Sequence, residues 1–183
     1  MTSQPSRQEV LRWKPFVFNE QVYDLSHLNT HWAEYQDNRE GREPNFYKFK
    51  VTYGLHCFTK EEPDLSEAES SLLIYKAPKE ARHFNIARYN LSKQLPSIIR
   101  SLGETDTLVF FAGYGNFATV KVIDFEGVKT DYFVVFAVFR ENKALRLHVV
   151  SAYPRERSKV KKVSFFAIAF NLLKDKPLPK PPK

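Results

Sequence analysis

The chain has 183 residues, with 28 Lys and Arg against 21 Asp and Glu, a formal charge of +7 and an isoelectric point near 9.4. At 43% hydrophobic and 15% aromatic it is too apolar for a disordered chain, and no apolar run approaches the roughly 18–20 residues of a membrane-spanning helix. A single cysteine, Cys57, excludes an internal disulfide or a cysteine-rich zinc site and suits a reducing cytoplasm.

Taken in chain order, residues 1–15 read as a polar, flexible leader without the apolar core of a signal peptide. Phe16 to Tyr23 is a short aromatic stretch whose Asn19-Glu20-Gln21 centre predicts a hairpin turn. Asn29-Thr30 resembles a helix start, predicting a helical turn through Trp32 and Tyr35, and the charged run Gln36 to Pro44 predicts a loop. Phe46 to Thr59 alternates with period two. Tyr47, Phe49, Val51, Tyr53, Leu55 and Cys57 share one face, and Phe46, Lys48, Lys50, Thr52, Gly54 and His56 share the other. Glu61 to Ser70 is acidic and reads as a loop, with a short strand after it at Leu72 to Tyr75. Asn90-Leu91-Ser92 supplies cap residues for a helix over Lys93–Leu102 that tolerates Pro96 in its first turn. Three strands follow at Ala118–Phe125, Tyr132–Phe139 and Leu145–Ala152, the first preceded by Leu108–Phe111. Turns at Gly127 and Glu141-Asn142 make them a meander. Val163 to Leu173 is apolar without a decisive period, and residues 174–183 form a Pro/Lys tail. The expected fold is α+β in a single domain over residues 16–173: an antiparallel β-sheet meander packed against one or two short helices. Residues 16–80 form its N-terminal part, and 81–173 hold the helix and the meander.

The charge is uneven. Arg140 to Lys183 holds 12 Lys and Arg against 3 Asp and Glu, so the positive field belongs to the last quarter of the chain. A cationic segment of this kind attracts polyanions. Alternation places Arg146 and His148 on one face of their strand and pairs Thr119 with Lys121 on theirs. If these strands neighbour the one carrying Lys48, Lys50, Thr52 and His56, one sheet face gathers two histidines, cations and hydroxyls. That set can cut RNA without a metal: a histidine takes the 2′-OH proton, cations stabilise the phosphorane, and an acid protonates the leaving oxygen. Arg82-His83 and Arg88-Tyr89, ahead of the helix, form a second polar cluster. No glycine-rich phosphate loop, Gly-x-Ser-x-Gly elbow or metal-ligand spacing is present, so neither cofactor nor metal is expected.

The run Leu145-Arg146-Leu147-His148-Val149-Val150-Ser151-Ala152-Tyr153-Pro154 resembles the closing strand of the barnase–EndoU–colicin–RelE class of ribonuclease toxins. The resemblance covers Ala81 to Pro154 and implies a small α+β, metal-independent ribonuclease acting on tRNA or mRNA. It also implies an antitoxin or immunity partner. Arg146, His148, Ser151 and Tyr153 match its last-strand motif, and Arg88 and Tyr89 its polar segment before the helix. Simple alternation separates Ser151 and Tyr153 from Arg146 and His148, so a bulge near Val150 is required. Under this reading His148 or His56 is general base or acid, Arg146, Arg88 and Lys121 clamp phosphate, and Tyr153 stacks on a base or supplies a proton. The rival reading is a non-catalytic RNA- or protein-binding module in which Arg155, Arg157, Lys159, Lys161 and Lys162 grip phosphates.

Overall fold

A computed structural model of the chain describes residues 9–180. Four two-residue hairpins set its β-architecture. β1 (Phe16–Phe18) turns into β2 (Gln21–Tyr23) through Asn19 and Glu20, both at positive φ, at the expected turn. β3 (His31–Asp37) runs antiparallel to β4 (Asn45–His56), which replaces the helical turn read at Trp32 to Tyr35. Asn29 and Thr30 explain the difference. The Asn29 carboxamide accepts from the backbone N–H of Trp13 at 2.9 Å, and the Thr30 hydroxyl donates to the carbonyl of Val51 at 2.9 Å. Neither side chain caps a helix. Both fasten an incoming strand.

β5 (Thr59–Lys60), β6 (Ile74–Lys76) and β7 (Ala81–Phe84) form a small sheet in the order β5-β7-β6. Between β5 and β6 the acidic stretch read as a loop contains helix α1 (Glu67–Leu73). Ser66 caps it and Glu69 returns a bond to the cap, so the acidic residues work as a capping box. α2 (Ile86–Ser92), capped by Asn85, takes up the residues read as caps, Asn90-Leu91-Ser92, and the helix expected over Lys93–Leu102 follows as α3 (Leu95–Arg100), with Pro96 in its first turn.

The meander follows: β8 (Val109–Gly113), β9 (Asn116–Phe125), β10 (Val128–Glu141) and β11 (Ala144–Pro154). The β9–β10 turn uses Glu126 and Gly127, and the β10–β11 turn uses Asn142 and Lys143, one residue beyond the expected pair. The six-stranded order is β3-β4-β11-β10-β9-β8, in which β11 and β4 are parallel, so the sheet is mixed rather than purely antiparallel. α4 (Phe165–Leu173), capped by Ser164, occupies the apolar stretch that lacked a clear period.

One core unites these elements in a single domain. Phe49, Val51 and Tyr53 of β4, Tyr132, Val134 and Phe136 of β10 and Leu147 and Val149 of β11 are buried together with Leu95 and Ile99 of α3 and Ile168 of α4. Burial pushes the Tyr35 phenol well above its usual range, and its hydroxyl donates to the Ile99 carbonyl at 2.6 Å. Tyr35→Phe removes this buried hydrogen bond and is expected to cost about 1 kcal/mol in urea denaturation. Trp13 is also buried in this core, so residues 9–15 are structural rather than a flexible leader. Residues 1–8 of that leader lie outside the described residues.

Candidate functional site

The site begins with a bulge. Along β11, Arg146 faces Phe139 and His148 faces Ala137. The register then shifts so that Val149 faces Phe136 while Ser151 faces Val135 and Tyr153 faces Phe133. Directly paired residues share a face, so the extra residue, Val150, returns Ser151 and Tyr153 to the side of Arg146 and His148. This is the bulge that the strand's polar residues require. β4 lies parallel alongside, pairing Arg146 with Lys50, His148 with Thr52 and Ser151 with His56. One sheet face therefore carries Lys50, Thr52, Gly54, His56, Arg146, His148, Ser151 and Tyr153. Thr119 and Lys121 do not join it. They pair with the core residues Val134 and Tyr132, and so belong to the opposite face, where Thr119 is fully buried.

Local bonds fix each group on this face. His148 Nδ1 lies 2.9 Å from the Thr52 hydroxyl, and its Nε2 sits over Gly54, 3.3 Å from where a Cβ would stand. His56 Nε2 lies 3.2 Å from both carboxylate oxygens of Glu80. Burial raises the Glu80 carboxyl, and hydrogen bonds from His56 and Arg82 outweigh it, leaving the group below its ordinary value. A cleft of about 220 Å³ opens above Gly54, walled by residues 9–13 and the 77–80 turn, with His148 and Glu80 in its lining. The two imidazoles thus share a face, but each is held by a different partner.

The cations expected to clamp phosphate are engaged elsewhere. Arg146 donates to Glu9 through Nη2 and to Glu141 through Nη1, with its guanidinium 5.6 Å from the Phe139 ring centroid. Arg88 donates from Nη1 to the carbonyls of His56 and Thr59, at 3.2 and 2.8 Å, and lies 5.8 Å from the Tyr153 ring. Desolvation lowers its pKa. Its geometry is that of a brace for the end of β4, not of a phosphate clamp, and it occupies the ring of Tyr153 as well. The second cluster is also tied up. Arg82 pairs with Glu61 and Glu80, and His83 bridges the Glu62 N–H and the Ser70 hydroxyl. His27 and His31 contact Ser92 and Tyr53, and burial lowers both imidazoles. Burial pushes the Cys57 thiol up to about 12, far from nucleophilic.

The basic segment is different. A strap outside the named strands, residues 155–163, crosses β8–β10 on the face opposite the helices, the face that also carries His148 and Tyr153. Its ends are pinned by the Arg155 N–H donating to Asp131 at 3.0 Å and the Val163 N–H donating to Val109 at 2.8 Å, with a bridge between Lys162 and Phe110. Val160 packs inward on a small apolar cluster of Phe110, Ala118, Val120 and Phe133. Arg155, Arg157, Lys159, Lys161 and Lys162 are exposed, Arg157 being paired with Asp131 and Arg155 lying over the Phe133 ring. On the core side of β9, Lys121 lines a separate groove of about 640 Å³ with Lys93 and Arg100. Lys93 and Arg100 carried no signal beyond charge in the sequence.

Fold and site define a small mixed α+β protein with a bulged, histidine-bearing sheet face and a basic strap that crosses the same face farther along, over β8–β10. Among the described residues no helix is long and apolar enough to cross a membrane. The YjaZ family matches residues 15–173, and Protein YjaZ of Escherichia coli (strain K12) is 48% identical over 180 residues, 97% of this chain and 99% of that protein. The chain belongs to the YjaZ family. No solved structure matches. This corrects the resemblance to the ribonuclease toxin class: the YjaZ match spans the whole segment on which that resemblance rested, Ala81 to Pro154. The antitoxin or immunity partner it implied loses that basis.

Proposed function

We propose that the protein binds RNA, using the strap over residues 155–162 as its phosphate-gripping surface, in the cytoplasm that its lone buried cysteine suits. The observation that carries this reading is the strap's construction. Arg155, Arg157, Lys159, Lys161 and Lys162 stand exposed on one short strap, five cations against the single Glu156 within residues 155–162, a charge density that attracts a run of phosphates. Val160 anchors the backbone and leaves these cations outside. The groove holding Lys121, Lys93 and Arg100 offers a further cationic surface. Fluorescence anisotropy with a labelled single-stranded RNA tests the reading. Each lost phosphate contact on a single strand lowers the log–log salt slope by about 0.7, so Lys159→Ala/Lys161→Ala/Lys162→Ala is expected to lower it by about 2 and to weaken binding at every sequence tried. Binding indifferent to salt and to this variant contradicts the proposal.

A second reading, RNA cleavage through 2′-OH attack, draws support from the bulge that gathers Arg146, His148 and Ser151 beside Thr52 and His56. His148 serves as base or acid there, oriented by Thr52. The engagement of Arg146 by two carboxylates places this reading second. Incubation with tRNA and mRNA in EDTA separates the two: binding without cleavage supports the first, and cleavage abolished by His148→Ala supports the second.

A further inference from the structure

Arg146 is a buried cation held by two carboxylates, Glu141 of β10 through Nη1 and Glu9, from outside the sheet, through Nη2. Its side chain is 8% exposed and that of Glu9 6%, so the ion pair is nearly dry. His148 Nδ1 lies 3.9 Å from the other Glu9 oxygen, with the Thr52 hydroxyl beyond it. Glu9 sits on a segment without regular secondary structure, ahead of β1. Two bonds hold that segment against the β3 entry: the Thr30 N–H donates to the Leu11 carbonyl at 2.9 Å, and the Trp13 N–H to Asn29 at 2.9 Å. Sheet residues thus set one Nη of a guanidinium and an imidazole braced by the Thr52 hydroxyl against one carboxylate, which reaches them from a strand-less arm. Arg146 Nε is a further buried donor without a partner among the described residues. A guanidinium fork is shaped for carboxylate or phosphate oxygens, and imidazole and hydroxyl add donors on the same side. Glu9 and His148 line the 220 Å³ cleft, with Trp13, Leu55 and Pro78 as apolar wall and Lys79 at the 77–80 turn.

We propose that Arg146, His148 and Thr52 form an oxyanion-binding site, and that Glu9 fills it as a displaceable internal ligand. The occupant is a small molecule whose carboxylate or phosphate takes the place of the Glu9 carboxylate and whose body lies in the cleft. A tethered carboxylate competes at the concentration its short arm imposes, so the apparent affinity of an external anion falls by the fraction of molecules whose arm has lifted. The site is independent of the strap: it lies on β4 and β11, binds a single anionic group, and stands or falls without RNA.

Trp13, four residues beyond Glu9, reports on the arm. It is one of two tryptophans, and Trp32→Phe leaves it as sole emitter. In that background, inorganic phosphate and acetate are titrated at constant ionic strength. Glu9→Gln is expected to give a saturable change in Trp13 emission at a concentration at least tenfold below that of the parent. Arg146→Lys, which keeps the charge and loses the fork, is expected to abolish the response. A response to phosphate alone assigns the site to phosphorylated ligands, and a response to both assigns it to oxyanions generally. A Glu9→Gln protein that melts like its parent and gives no saturable response to either anion overturns the proposal. If that variant fails to fold, Glu9→Asp, which keeps the charge and shortens its reach, takes its place, and a response no stronger than the parent's is then the overturning result.

Discussion

Phe58→Ala is expected to lower the unfolding free energy by about 3–5 kcal/mol. Phe58 has no exposed surface, and its ring meets Trp13 edge-on at 5.0 Å, Tyr75 edge-on at 5.0 Å and Phe84 at 6.2 Å. These three partners belong to the arm before β1, to β6 and to β7. One ring therefore joins the small sheet and the arm to the turn that leaves β4. Truncation removes the transfer energy of a large aromatic and leaves a cavity whose lining rings are themselves pinned: Tyr75 donates to the Lys14 carbonyl at 2.9 Å, and Phe84 stacks on Phe16 at 4.3 Å. A lining held this way collapses poorly, which puts the cost at the high end for core deletions. Urea denaturation measures it. Phe46→Ala, at an exposed position on β4, is the control and should stay within about 0.5 kcal/mol of the parent. A Phe58→Ala cost below about 1 kcal/mol would show that the arm and the small sheet pack independently of β4.

How much of this was legible in the sequence follows from what each signal measures. The period of two over Phe46 to His56 was readable because β4 is buried on one face and, beyond the exposed Phe46, carries Lys48, Lys50, Thr52 and His56 on the other. β3 hid because its inward set, Ala33, Tyr35 and Asp37, mixes one small, one aromatic and one acidic side chain. Asp37 is buried there because Arg39, two residues on, bonds it through both Nε and Nη2, which holds its carboxyl below the usual range. No hydropathy pattern announces such a pair. The parallel pairing of β11 with β4 joins residues 96 positions apart, such as Thr52 and His148, and local pattern is blind to it. The S-x-x-E spacing of Ser66 and Glu69 was present but lay within a run of charges that read as loop.

At the site, the polar residues of β11 already implied the bulge at Val150, because without it their hydroxyl and phenol would face the core. What lay out of reach was the chemistry supplied from elsewhere: Glu9 on the arm and Glu80 on the turn before β7, neither of which stands in a motif. The corrected placements share that cause. Arg88 reads as a clamp from its charge alone, yet the carbonyls of His56 and Thr59 at the end of β4 claim it. Lys121 follows its strand's alternation faithfully, but that alternation points to the helix side because β9 pairs through Tyr132 and Val134. One legible signal went unused. A glycine within a strong strand pattern marks a close approach, and Gly54 is such a glycine.

Gly54→Val is expected to destabilise the protein by about 3 kcal/mol, the upper end of the usual overpacking range, with Gly54→Ala nearer to 1 kcal/mol. The constraint is space rather than backbone angle. A Cβ at Gly54 would stand 3.0 Å from the Val150 carbonyl oxygen and 3.2 Å from that of Val149, so the added atom meets main chain on the neighbouring strand instead of a side chain that can rotate away. The third neighbour, His148 Nε2 at 3.3 Å, can yield only by loosening its contact with Thr52. Valine adds two further methyl groups in the space where the cleft opens, so β4 and β11 must separate or the bulge must move. Two measurements check this together. Urea denaturation should rank the parent above Gly54→Ala and Gly54→Val last. The His148 ring resonances should shift in Gly54→Ala while those of His27, which meets Ser92 and Tyr89 instead, stay in place. A Gly54→Val protein as stable as its parent, with unmoved His148 signals, would mean that the bulge does not press on Gly54. The face gathered by Val150 would then lose the packing that fixes its imidazole.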